Sequence, residues 1–240
     1  MKILAIDTSN QPLSVAVTAD DSLLAETTLT THRKHAEFLM PVIEDLVGKA
    51  GLTPKDLDRI VVASGPGSYT GIRMATTVAK TLAATLNIEL VTVSSLLALA
   101  LNITKPAGLI NPIFNARNQN LFTGLYQIKN GEPTPVIADQ HTNITDWLAD
   151  IADIDQQITI VGETAPFEDA FSQQFGDRLT VADKLAAIPD AAKIGLYGAK
   201  LTPVQDVDSV VPRYLRLTKA EADWRKEHPN EDTRHYVEKI

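Results

Sequence analysis

The most constraining feature of this sequence is a glycine-rich joint at residues 64–73, which lies between two apolar patterns of different period. The run before it, residues 59–63, is apolar and rich in β-branched residues, as in a buried strand. The pattern after it repeats every three to four residues and ends near Asn87, as in a long amphipathic helix. The joint therefore predicts a strand, a tight turn and a helix in this order.

The chemistry of the joint permits two interpretations. Gly65 and Gly67 can adopt backbone angles that are closed to other residues, and Ser68 or Thr70 can cap the helix. The N–H groups of a helix start beside a glycine-rich loop form an anion site, but a plain tight turn has the same spacing. The loop lacks the Gly-Lys-Ser/Thr of a Walker motif and has one residue too many before Gly71 for the dinucleotide motif. Residue spacing alone leaves both interpretations open.

The start of the chain predicts three strands followed by a helix. Apolar runs at residues 2–6 and 14–18 flank a turn, and a third run at residues 23–30 precedes a helical pattern over residues 36–50 that ends at Gly51. This order is the opening of an actin-like, ribonuclease-H-like unit, which in the complete fold has two related domains of mixed sheets flanked by helices.

Asp7 ends the first predicted strand, where kinases of the actin-like fold carry an aspartate that orients a metal. These kinases continue as Asp-x-Gly, whereas Thr8, Ser9 and Asn10 follow here. The missing glycine disfavours close approach of a phosphate. A nucleotide-binding role for Asp7 and a plain hydrogen bond in a turn both remain open.

Two helices offer a candidate partner surface. The apolar residues of the helix after the joint cover about half of its circumference, which is more than one sheet contact needs. Within this set a row of small residues recurs at every fourth position, and it can pack either on the first helix of the same chain or on a partner. The predicted interface residues are Leu39, Ile43, Val47, Gly71, Ala75, Ala79, Leu82 and Ala83.

The second half repeats the strand–strand–helix order only loosely. Pro106 and Gly108 mark a boundary, which predicts an N-terminal domain at residues 1–104, a smaller degenerate domain at 105–218 and a charged C-terminal tail at 219–240. Within the second domain, Asn130-Gly131 predicts a type I′ hairpin. We also expect a helix over residues 139–155.

Composition limits the function classes. The net charge of −8 makes the chain a poor binder of tRNA by itself, and the absence of cysteine excludes thiolate zinc sites and thiol catalysis. His32 and His35 are three residues apart without an evident third ligand, so no metal site is predicted. No apolar run reaches the length of a membrane span and no signal peptide is visible, so we expect a cytoplasmic protein without membrane contact.

Four stretches together resemble the TsaB (YeaZ) family. The joint at residues 64–73 matches the family signature S/R-G-P-G-S-F/Y-T-G-L/I-R, and residues 3–9, 91–100 and 212–216 match further family stretches in order. The resemblance is specific over about the first hundred residues and thin from there to about residue 210. Asn115 stands where relatives carry an aspartate, which puts any catalytic use of that position in doubt.

The resemblance implies a non-catalytic scaffold in tRNA modification. It implies that the two helices bind TsaD, with the ATPase TsaE as a further partner and TsaC as the supplier of threonylcarbamoyl-adenylate. The threonylcarbamoyl group would pass to adenosine 37 of ANN-decoding tRNAs, which the chain would meet only within the complex. The same helices could instead join two copies of the chain in a homodimer. No catalytic residue and no required cofactor follow from this interpretation.

The alternative is an ATP-dependent phosphotransferase of the actin-like fold. It would bind ATP or ADP weakly, through residues whose role could also be vestigial: Asp7, Gly65, Gly67, Ser68, Gly71 and Arg73. Arg73 could equally pair with Asp56 or Asp58. A peptidase interpretation lacks a His-Glu-x-x-His helix or any other peptidase set.

Overall fold

The computed structural model describes residues 1–30 and 35–216 and contains two five-stranded sheets. The first sheet has the order β3-β2-β1-β4-β5. Its β1–β2 and β2–β3 pairs are antiparallel, and its β1–β4 and β4–β5 pairs are parallel. The strands are β1 (Lys2–Asp7), β2 (Leu13–Ala19), β3 (Ser22–Leu29), β4 (Arg59–Ala63) and β5 (Glu89–Val93).

The second sheet repeats the first in both order and direction. Its order is β10-β9-β6-β7-β8, so that β6 takes the central place that β1 has in the first sheet. The β6–β7 and β7–β8 pairs are antiparallel, and the β6–β9 and β9–β10 pairs are parallel. The strands are β6 (Leu109–Arg117), β7 (Asn120–Lys129), β8 (Glu132–Asn143), β9 (Ile158–Gly162) and β10 (Leu179–Val181). The two halves of the chain are therefore structural duplicates.

Helices cover the sheets in layers. The first two helices pack on one face of the first sheet, and the sixth packs on its other face. The third packs on the second sheet within the same core, while the fourth and fifth cover the far face of that sheet. The helices are α1 (His35–Lys49), α2 (Tyr69–Leu86), α3 (Ser95–Ala100), α4 (Ile144–Asp150), α5 (Glu168–Phe175) and α6 (Ala191–Gly198). Of these, α1 and α2 are long enough for four or more turns.

Strand β1 shows why the first sheet is buried on both faces. Ile3 and Ala5 point into the core shared with the second sheet, while Leu4 and Ile6 point into the core under α1 and α2. Side chains alternate between the faces of a strand. A continuous apolar run therefore requires helices on both sides, as parallel pairing generally does.

The chain returns to the first sheet after β10. A Cβ atom at Gly198 would lie 2.5 Å from both methyl groups of Val61, so this glycine lets α6 approach β4 closely. The buried guanidinium of Arg59 donates to the carbonyl oxygens of Gly198, Ala199 and Leu201 and pairs with Glu89. A positive charge at the carbonyl end of a helix is favourable. The predicted domain boundaries stay a prediction, but α6 belongs to the core of the first sheet.

Most predicted elements are confirmed, with two exceptions. The Asn130-Gly131 hairpin joins β7 to β8, with positive φ angles of 53° and 81°. The helix predicted over residues 139–155 is wrong at its start, because β8 continues to Asn143 and α4 ends at Asp150. Strand β10 was not predicted. His32 and the tail at 219–240 lie outside the described residues.

Candidate functional site

The glycine-rich joint packs directly against the turn after β1. A Cβ atom at Gly67 would lie 2.1 Å from the backbone oxygen of Ser9, and one at Gly71 would lie 2.0 Å from that of Thr8. Gly67 also has a φ of 155°, which other residues rarely adopt. Two of the glycines are thus required by close contact between backbones, whether or not the joint binds a ligand.

Several backbone donors of the joint are used within the chain. The Ser68 N–H donates to the oxygen of Ser9 at 2.6 Å, and the Gly65 N–H donates to the hydroxyl of Ser95 at 3.1 Å. The Gly71 N–H donates to the hydroxyl of Ser68, which caps α2 as one of the two predicted candidates. An anion at this helix start would have to compete with these bonds.

The four stretches that match the family signature meet at one place. Thr8 of the first stretch donates its hydroxyl proton to the oxygen of Gly71 at 2.8 Å. Ser95 of the third stretch donates its N–H to the oxygen of Gly65, and Arg213 of the fourth donates its N–H to the oxygen of Ser64. Positions far apart in the sequence are therefore joined through one loop.

A cleft of about 700 Å³ opens beside this loop, between the two sheets. One wall carries Ser9, Gly67 and Ser68 from the first half, and the opposite wall carries the end of β6. Residues 213–216 line the cleft as well. Clefts between domains are preferred places for small ligands.

A buried aspartate connects the walls of the cleft through hydrogen bonds and an ion pair. The side chain of Asp139 on β8 is only 2% exposed and accepts hydrogen bonds from the hydroxyls of Tyr126 and Ser94. Its Oδ2 also pairs with the Arg213 guanidinium at 2.9 Å. Burial, and then the nearby Asp139 carboxylate, raise the pKa of Tyr126, so that its hydroxyl keeps its proton and donates. The network joins β7 and β8 to Ser94 of the first half and to the C-terminal segment.

Asp7 lies beneath the cleft and does not line it. Its side chain is fully buried, and its Oδ1 accepts from the Ser9 N–H at 2.7 Å, which is the turn hydrogen bond that we considered as an alternative. Its Oδ2 has no hydrogen-bond partner among the described residues. Burial raises the pKa of Asp7 to about 6, against the opposing effect of the Ser9 backbone bond.

The raised pKa of Asp7 predicts a change of stability with pH. The folded chain binds this proton more tightly than the unfolded chain, whose aspartate titrates near pH 4. The stabilisation is complete below about pH 4 and is lost as the pH rises through about 6, by up to about 3 kcal/mol. In urea unfolding, Asp7→Asn should match the wild type near pH 4 and exceed it near pH 7.5. A difference between the two proteins that stays constant with pH would contradict the assignment.

The predicted nucleotide residues converge only in part. Gly67 and Ser68 line the cleft, whereas Asp7, Gly65 and Gly71 lie behind its wall. Arg73 lies over the ring of Tyr69, with its Cζ 5.1 Å from the centroid, and not beside Asp56 or Asp58. Nucleotide binding at these residues stays a prediction.

Most of the residues predicted for a partner interface are buried within the chain itself. Seven of the eight are buried in the chain's own core or against the turn after β1, and Leu82 alone is partly exposed. The small residues on α2 face the first sheet, where their lack of bulk brings the helix close to β1 and β4. The buried residues are Leu39, Ile43, Val47, Gly71, Ala75, Ala79 and Ala83.

Few features of the sequence predicted the polar residues around the cleft. Asp139 was placed in a helix, and Arg117, Glu163 and Tyr214 were given no role. Gly124 is the sequence feature that could have indicated Asp139, because a Cβ atom at this position would lie 2.7 Å from the Asp139 carboxylate. A lone glycine inside a strand indicates that something approaches closely.

Neither a metal cluster nor a membrane span is evident in the part of the chain that the structure describes. No three histidine or acidic side chains in residues 1–30 and 35–216 lie together in a way that could hold a metal ion. Within these same ranges, no helix has the length and apolar character to cross a bilayer.

Comparison with solved structures agrees with the fold described above. Two duplicated mixed sheets around a cleft define a two-domain protein of the actin-like, ribonuclease-H-like fold, as predicted. YeaZ from Pseudomonas aeruginosa superposes with a TM-score of 0.73 at 24% identity, over 89% of this chain and 99% of that one. The EutJ ethanolamine utilization protein of Carboxydothermus hydrogenoformans superposes with a TM-score of 0.50 at 16% identity, over 82% of this chain and 90% of that one.

Sequence relatives identify the family. The Bacillus subtilis tRNA threonylcarbamoyladenosine biosynthesis protein TsaB is 40% identical over 93% of this chain and 98% of its own length. The Escherichia coli protein of the same name is 29% identical over 57% of this chain and 62% of its own length. The family model for TsaD, tRNA N6-adenosine threonylcarbamoyltransferase, matches residues 22–224. The chain belongs to the TsaB (YeaZ) family, within the wider group that the TsaD model describes.

Proposed function

We propose that this chain is a non-catalytic subunit of the machinery that makes threonylcarbamoyladenosine in tRNA. It binds TsaD, with TsaE as a further partner, and supports transfer of the threonylcarbamoyl group to adenosine 37 of ANN-decoding tRNAs. The observation that carries the proposal is the 40% identity to a TsaB over almost the whole of both chains. No cofactor is required by this chain for that role.

The outer faces of α1 and α2 support the proposal, although of the residues there only Leu82 was among those first predicted. Met40 on α1 is 46% exposed. Met74, Val78 and Leu82 recur every fourth residue on α2 and are only partly buried at the edge of the core. A stripe of this kind on two neighbouring helices suits a helical partner surface. TsaD would cover it in the complex, and a second copy of the chain would cover it in a homodimer.

The proposed interface is tested by Thr81→Arg. Thr81 is exposed and lies beside Val78 and Leu82 on α2, so the new side chain should leave the fold unchanged and obstruct a partner. We expect the wild type to form a 1:1 complex with TsaD of its own species and the variant to lose at least tenfold in affinity. Light scattering after size exclusion measures the mass, and calorimetry the affinity.

The matched control is Lys129→Glu, an exposed change at the far end of the second sheet, which should bind TsaD as the wild type does. Unchanged binding by Thr81→Arg would move the interface elsewhere. The proposal would be wrong if the wild-type chain did not bind TsaD but bound ATP tightly and hydrolysed it, and if Asp7→Ala abolished this hydrolysis. The phosphotransferase would then be the better interpretation.

A further inference from the structure

The cleft beside the joint carries a charge opposite to that of the chain. The net charge of the whole sequence is −8, yet among the described residues the charged side chains that line the cleft are three arginines, one of them paired with the buried Asp139, and one acid. These are Arg117 on the end of β6, Arg213 and Arg216 in the C-terminal segment, and Glu163. A local excess of positive charge on an acidic protein attracts an anionic ligand to this place in particular.

Two of these arginines keep donors that the described residues, 1–30 and 35–216, do not use. No described residue forms a hydrogen bond or ion pair with the guanidinium of Arg117. Arg216 makes one side-chain hydrogen bond, to the oxygen of Ala116 at 3.3 Å. The one acid among the described lining residues, Glu163, accepts a hydrogen bond from the Asn115 N–H at 2.7 Å. Each guanidinium has five N–H donors in a planar fork that suits phosphate oxygens.

Exposed aromatic rings lie at the same cleft. Tyr69 and Tyr214 stack with their centroids 5.2 Å apart, and Arg73 lies over the ring of Tyr69. The two tyrosines are 50% and 45% exposed, and both line the cleft. Rings that stack on one another and on a guanidinium, yet keep half of their surface in water, provide a platform on which a base can stack.

We propose that this cleft binds a single-stranded segment of RNA, with arginines on its phosphates and a base on the tyrosine pair. The inference rests on the proposed role in tRNA modification and adds direct contact between this chain and the tRNA. Arginines interleaved with aromatic rings are the usual means by which proteins bind single strands. The cleft arginines stand on the β6–β7 hairpin and on the C-terminal segment, and Arg73 of α2 lies over the neighbouring Tyr69 ring.

The test is the affinity of the full chain, alone and with TsaD, for fluorescein-labelled oligo(A) RNA and for unmodified tRNA. Fluorescence anisotropy is followed over a salt series from about 50 to 200 mM. Arg117→Gln should weaken binding at low salt and reduce the slope of log K against log salt by about 0.7, the value for one phosphate contact on a single strand. Tyr214→Ala should weaken binding about tenfold, whereas Tyr214→Phe keeps the ring and should bind as the wild type does.

Lys129→Gln is the matched control, because it removes an equal charge from an exposed site at the opposite end of β7. It should leave both affinity and slope unchanged. Co-elution with TsaD is measured on the same samples, so a loss of the complex is distinguished from a loss of RNA. Wild-type affinity in Arg117→Gln and Tyr214→Ala would overturn the proposal. So would displacement of the RNA by micromolar ATP, since the cleft would then belong to a mononucleotide.

Discussion

Replacing Gly71 with alanine is expected to lower the free energy of unfolding by about 3 kcal/mol or more. The new Cβ atom would lie 2.0 Å from the backbone oxygen of Thr8, a contact that no rotamer can relieve. Moving α2 outwards to make room would break the bond from the Thr8 hydroxyl to the Gly71 oxygen. It would also open the core that α2 covers. Urea unfolding monitored by circular dichroism measures the loss.

Gly48→Ala is the matched control for this experiment. Gly48 also lies inside a helix, but nothing lies within 4 Å of the place where its Cβ atom would be. Alanine has the higher helix propensity, so this variant should gain roughly 0.5–1 kcal/mol. Opposite signs from the same substitution would assign the effect to backbone contact at the joint. Equal small changes in both would contradict the close approach of α2 to β1.

Replacing Asp139 with alanine is expected to cost about 4 kcal/mol. The change leaves the buried hydroxyl of Tyr126 without an acceptor, and it also removes the acceptor of Ser94 and the counter-charge of Arg213. An unsatisfied buried donor costs about 1–3 kcal/mol, and breaking a buried charge pair adds to this. Half of the Arg213 side chain remains in water, so the hydroxyls carry most of the loss.

Two further variants separate the network from general effects of mutation. Asp153→Ala removes an exposed carboxylate in the turn after α4 and should change stability by less than about 0.5 kcal/mol. Asp139→Asn keeps one oxygen acceptor and should fall between the wild type and Asp139→Ala. Thermal unfolding of the three proteins gives the order. A wild-type melting temperature in Asp139→Ala would show that the network does not hold the halves together.

The sequence revealed the centre of each sheet better than its edges. Central strands such as β4 are buried on both faces, and a continuous apolar run of four residues, 60–63, carries that signal. Strand β8 is an edge strand with a polar, partly exposed pattern and two prolines, Pro133 and Pro135. Edge strands tolerate proline and need little apolar surface, so their residues resemble those of turns and helix ends. This is why Asp139 was assigned to a helix.

The candidate site shows a second limit of sequence reasoning. The spacing of Leu39, Ile43 and Val47 reveals an apolar helix face but does not show what covers it. Here the chain's own sheet covers it, and the partly exposed residues beside it form the flank. The cleft was harder still, because Arg117 and Tyr214 come together only when the C-terminal segment crosses from one half to the other. The family signature identified the loop correctly. The residues that lie beside this loop in the cleft could be identified only from the three-dimensional structure.

The return of α6 to the first sheet has a consequence for how the protein is made. On the ribosome, β4 is synthesised roughly 130 residues before α6, an interval of about 6 to 25 s at usual elongation rates. During that time the face of the first sheet that carries Ile3, Ala5 and Val61 lacks its cover. The first half is therefore not an autonomous nascent domain. Its completion waits until α6 has been synthesised, and during this interval the uncovered face is accessible to a chaperone.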